Sequence, residues 1–136
     1  MNPDRDLLAL RVLAGGVFVA FGVGKFVNHA SELASFKTHG LPLPGVFVIV
    51  IGVIELAGGA LLIAGLLVRP AALVLAGDMV GAIVVSGIAK GEVISLTLAP
   101  VELIAMAVLL WTGPGRCALA GRRAASRRPR SVSATD

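Results

Sequence analysis

Six ionisable residues stand among almost wholly apolar neighbours: Arg11, Lys25, Glu55, Arg69, Asp78 and Glu102. The stretch "GVIELAGGALLIAGLLVRP", residues 52–70, shows the pattern, with Glu55 inside an aliphatic and glycine run. A charge at the centre of a hydrocarbon layer costs roughly 2.5–3.5 kcal/mol on insertion scales, so such groups turn toward one another. Three roles are open to them: ion pairs that fix helix register, a polar contact for a ligand or partner, or a path for protons or ions. Ser, His and acidic residues show no catalytic spacing. No catalytic residue is assigned, and no self-contained hydrolase or dehydrogenase is expected.

The elements that must hold these groups are membrane helices. Of the 136 residues, 57% are hydrophobic and 15% charged, and the mean hydropathy is +0.93. That leaves too little polar surface to cover a water-soluble core. A span needs roughly 20 apolar residues, because in lipid the backbone must satisfy its own hydrogen bonds. Four stretches qualify, about 7–27, 46–68, 71–89 and 93–111. Arg69-Pro70 reads as a tight hairpin between the second and third. The connection "NHASELASFKTHGLPLPG" carries Leu33 and Phe36 at helical spacing and stop signals at Gly40 and Pro42, so a short surface helix is expected there. The fold class is therefore an all-α membrane protein, an antiparallel four-transmembrane-helix bundle with that surface helix between helices 1 and 2. Residues 1–112 form the membrane domain and 113–136 a basic, disordered tail. The flank of Asp4, Arg5 and Asp6 and the downstream "VGKFVN" read as a retained first span, not a cleaved leader.

Charge sets the expected orientation. Arg5, Arg11, Arg69 and the six tail arginines fall on one side, against Lys25, Lys37 and Lys90 on the other. Nine against three places both termini in the cytoplasm of a bacterial-type plasma membrane. The net charge of +4 is carried by the tail, where six arginines face Asp136 alone. It implies anionic lipid headgroups, not nucleic acid, as its partner.

Small residues indicate how the helices meet. Gly16 and Gly24 in the first span, Gly58 and Gly59 in the second, and Gly77 and Gly81 in the third are the expected packing glycines. Counting depth along each span gives two charge layers. An outer layer groups Lys25 with Glu55 and Glu102, and an inner one groups Arg11 with Asp78, with Arg69 at its edge. Pro100 is expected to kink the fourth span or free a carbonyl. Cys117 is alone, so no disulfide forms within one chain. His29 and His39 lie in the loop region, away from any haem geometry, and no metal site is expected. "GVGKF" lacks the remaining residues of a phosphate-binding loop.

With these residues in view, the chain resembles the DoxX family of small four-span membrane proteins. The first span matches through Arg11, Gly15 or Gly16, Phe18, Gly22 and Lys25. The second and third match through Glu55, Gly58, Gly59, Leu62, Gly65, Arg69, Ala72, Met79 and Ala82. The fourth matches through Glu102 and Gly113-Pro114-Gly115-Arg116. Where relatives often continue with Ser-Leu-Asp, this chain has Cys117-Ala118-Leu119 and lacks the acid. The resemblance implies an inner-membrane subunit or scaffold of a redox-related complex, with redox proteins as partners. A quinone is the only cofactor it suggests. The alternatives are a small transporter or proton-conducting protein, and a quinone-interacting oxidoreductase subunit.

Overall fold

The computed structural model describes residues 2–119 and Ser126. The described residues are helical, without strands: α1 Pro3–Val27, α2 His29–Thr38, α3 Pro44–Ala64, α4 Val68–Ala82 and α5 Val93–Thr112. A π-helical turn, Ile83–Ile88, extends α4. The four long helices, with α4 counted through Ile88, are each long and apolar enough to cross a membrane. The short α2 lies between the first two spans and has no buried residue of its own.

Each span buries one stripe. On α1 it is Arg11, Ala14, Gly15, Phe18, Gly22 and Lys25. On α3 it is Val48, Gly52, Glu55, Gly58, Gly59 and Leu62. On α5 it is Ser95, Ala99, Glu102, Ala105, Met106 and Leu109. Steps of three and four residues keep a stripe on one helix face. The outward faces keep leucine, valine and isoleucine exposed, Leu13, Val53, Leu73 and Ile104 among them, as a lipid solvent permits.

Close approach of α1 and α3 depends on glycines other than several of those expected. A Cβ at Gly59 would lie 2.6 Å from the Gly15 carbonyl oxygen, and one at Gly15 would lie 2.7 Å from the Gly59 oxygen. Two turns further along, a Cβ at Gly22 would meet the Leu56 nitrogen at 2.9 Å and the Gly52 oxygen at 3.0 Å. The two backbones touch along this seam, which only hydrogen side chains allow. Gly58 receives Leu75 of α4, whose side chain would be 2.9 Å from an added Cβ. Gly16, Gly24, Gly77 and Gly81 have nothing within 4 Å of an added Cβ. Gly16 and Gly24 make no close helix contact, and Gly77 and Gly81 border open space; the close approaches are made at Gly15, Gly22 and Gly52 instead.

The second hairpin also differs from expectation. The chain turns at Gly65–Leu67, where Gly65 has φ 72° and Leu67 φ 47°. Arg69 and Pro70 belong to the first turn of α4. Glycine in the left-handed region ends α3, and Pro70 falls where a helix has no use for its backbone N–H. This moves the start of the third span three residues toward the N-terminus.

Candidate functional site

The shifted hairpin alters the depth of the charges. Counting from Val68, Asp78 is the eleventh of 21 residues in its span. Glu55 is the twelfth of 21 in α3, and Glu102 the tenth of 20 in α5. Three carboxyls therefore share the middle level of the bundle. Lys25 reaches them from the far end of α1 through its four-carbon stem.

Lys25 and Glu55 form a buried ion pair, with Nζ 2.8 Å from Oε2. The ammonium also lies 5.9 Å from the centroid of the Phe21 ring, a cation–π distance. The Asp78 carboxyl comes within side-chain hydrogen-bonding reach of Glu55. Asp78 thus joins Lys25 and Glu55, not Arg11 as the depth count suggested. Glu102 is 6% exposed, and its Oε2 has no hydrogen-bond partner among the described residues. It shares the site without an ion pair of its own to Lys25. One lysine faces three carboxyls, so charge balance calls for protons or a further cation.

These groups line a partly open cavity of about 530 Å³ between the helices. Phe18 and Phe21 form part of its α1 wall, and Gly77, Asp78 and Met79 part of the α4 wall. Val85 and Ser86 of the π-helical turn also reach it; such turns recur at functional sites. Glu32, Ser35, Phe36 and His39 place α2 and its end across one side. The cavity exists because α1 packs chiefly on α3 and α4 chiefly on α5, whereas α1 and α5 touch little. Among the described residues, no three His, Cys, Asp or Glu side chains converge as metal ligands.

Arg11 has a different task. It is buried, 1% exposed, and donates to the Pro114 carbonyl through Nη1. The segment after α5 folds back over this end of the bundle. The Arg116 N–H donates to Asp4 Oδ1 at 3.1 Å, and Ala118 is fully buried against Gly65, where an added Cβ would sit 2.6 Å from its own. Arg69 is exposed and lies alongside Gly113. Residues 113–119 are therefore part of the folded domain, not the start of the expected disordered tail. The remainder of that tail, apart from Ser126, lies outside the described residues. This clasp predicts that Arg11→Leu, which removes the donor under Pro114, lowers stability by about 1–3 kcal/mol. Thermal unfolding in detergent measures the change.

Sequence reasoning did not single out Phe21, Glu92, His39 or Pro114 for these places. Glu92 lines the cavity and accepts the Ser95 hydroxyl. The signal for the first was available, since Phe21 lies one helical turn before Lys25.

A four-span bundle with a charged cavity between its helices and an arginine clasp at the end where α1 begins and α5 ends defines a small integral membrane protein with a site among its helices. The DoxX family profile matches residues 7–88, and the chain belongs to that family. It is similar to the "Uncharacterized membrane protein Rv3486" of Mycobacterium tuberculosis, 34% identical over 133 residues that cover 84% of this chain and 78% of that one. It is also similar to "Putative oxidoreductase CatD" of Bacillus subtilis, 36% identical over 86 residues, 62% of this chain and 63% of that one. No solved structure matches.

Proposed function

We propose that this chain is an integral membrane subunit of a redox-related assembly, and that its central cavity is the contact site for a ligand of that assembly. The observation that carries the reading is the buried Glu102 carboxyl, whose oxygen has no partner among the described residues and which shares the cavity with the Lys25–Glu55 pair. A carboxyl that fixes register does so through a partner, and Glu102 has no ion pair among the described residues. The redox setting is supported by family membership and by the name of the Bacillus subtilis relative. The chain spans 63% of that relative, so its activity enters here only as part of the proposal. Purification in mild detergent tests the reading. Redox proteins recovered at a fixed ratio support it; pH-gradient-driven flux by the protein alone in liposomes favours transport or proton conduction instead. Quinone retained by the purified protein favours a quinone-interacting oxidoreductase subunit, a reading that the apolar and aromatic cavity wall supports.

The same proposal places both termini in the cytoplasm of a bacterial-type plasma membrane, with the basic tail against anionic headgroups. Cys117 is exposed at the end of the bundle that carries the termini and is the only cysteine, so it reports orientation directly. A membrane-impermeant maleimide will label Cys117 in inverted vesicles and leave it unlabelled in intact spheroplasts. Labelling confined to spheroplasts would reverse the assignment.

A further inference from the structure

We propose that the central cavity binds a lipophilic organic cation, an amine or quaternary onium head carried on an apolar body. The inference rests on the reading of the cavity as a ligand site and is independent of the redox assembly, so the assembly can fail while the cation site stands.

Charge is the first argument. The cavity wall carries Glu32, Glu55, Asp78, Glu92 and Glu102 against Lys25 and His39. Lys25 is engaged by Glu55 at 2.8 Å, and Glu92 accepts the Ser95 hydroxyl. An oxygen of Asp78 and one of Glu102 are buried without a hydrogen-bond partner among the described residues. Glu102 is 6% exposed, so its carboxyl belongs to an interior wall and not to a solvated face. An anionic ligand would add to the excess of carboxyls. A neutral one would leave charge balance to protons alone, whereas a cation supplies the counter-charge directly.

Shape and chemistry of the wall supply the second argument. A volume of about 530 Å³ falls in the range of small-molecule sites, which are mostly apolar with a few placed polar groups. Phe18, Phe21, Phe36 and Phe47 all line this cavity, Phe18 fully buried and Phe21 and Phe47 partly exposed, and aromatic faces attract onium and guanidinium groups. Lys25 over Phe21 is an instance already built into the fold. No three metal-ligating side chains converge among the described residues, and the aromatic and apolar wall favours an organic cation. Its head would lie between Asp78 and Glu102, with its apolar body against the phenylalanines.

Two ions of nearly the same shape and opposite charge test this directly. Tetraphenylphosphonium and tetraphenylborate are offered separately to the full chain in lipid nanodiscs, and equilibrium dialysis measures binding above that of empty nanodiscs. The expected result is saturable retention of the phosphonium near one per chain, with no such retention of the borate. Glu102→Gln should weaken phosphonium binding at least about tenfold, and Asp78→Asn should weaken it as well. Equal retention of both ions, or no saturable retention of the phosphonium, overturns the proposal. So does full-affinity binding by both variants. If either variant fails to fold, the comparison of the two ions on the unaltered chain decides.

Discussion

Gly59→Val will drive α1 and α3 apart and leave the chain unable to hold its bundle. The new Cβ would meet the Gly15 carbonyl oxygen at 2.6 Å, the Val19 Cγ2 at 2.9 Å and the Val19 nitrogen at 3.0 Å. Two of these three atoms are backbone, so no side-chain rotation relieves the clash. The helices must separate, and separation removes the dispersion contacts that hold spans together in lipid. Overpacking in a well-packed core usually costs about 1–3 kcal/mol; a backbone clash on this seam should exceed about 3 kcal/mol. Gly16→Val and Gly24→Val are the matched controls, since an added Cβ meets nothing within 4 Å at either position. They should stay within about 0.5 kcal/mol of the parent. Thermal unfolding in detergent and accumulation in the membrane will separate the two groups of variants.

Lys25→Met should be nearly as damaging, for an electrostatic reason. It keeps most of the side-chain length but removes the ammonium 2.8 Å from Glu55. Glu55, 4% exposed, and Asp78 beside it would then face each other without a cation. Removing one partner of a buried ion pair typically costs about 3–5 kcal/mol. The double variant Lys25→Met/Glu55→Gln should recover much of that loss, because the uncompensated carboxylate goes with the cation. A double-mutant cycle on thermal unfolding measures the coupling. A double variant no more stable than Lys25→Met alone would mean that the pair contributes through packing and not through charge.

The membrane architecture was legible because it rests on composition and run length, which need no knowledge of contacts. The positions of the charges were less so. Asp78 was referred to a hairpin at Arg69-Pro70, whereas Gly65 ends α3 four residues earlier. Those few residues carry Asp78 from the level of Arg11 to that of Glu55. Helix ends are the least determined part of an apolar run, since nothing in its hydropathy marks a boundary. The glycines show a related ambiguity. Gly15 and Gly16 are adjacent, and equal four-residue steps selected Gly16 and Gly24. The stripe from Arg11 through Gly15, Phe18 and Gly22 to Lys25 alternates steps of four and three, and it is the stripe that meets α3. Arg11 was expected to seek a carboxylate and instead satisfies the Pro114 carbonyl. That contact joins residues 103 positions apart and has no local signature. The cavity itself follows from the uneven pairing of helices, α1 with α3 and α4 with α5, which no single span encodes.

Glu102 decides whether the cavity is a ligand site or only a charged packing core. The thermal midpoint of Glu102→Gln, compared with the parent chain in the same nanodiscs and without added ligand, is the most direct measurement. A carboxyl held unpaired for a ligand ties no helices together in the empty bundle, and its replacement by a neutral amide removes an uncompensated buried charge. The midpoint should stay unchanged or rise by a few degrees. A fall of roughly 4 °C or more, the equivalent of about 1 kcal/mol at a chain length between the small and larger domain classes, would show that Glu102 ties the helices together and would contradict the account.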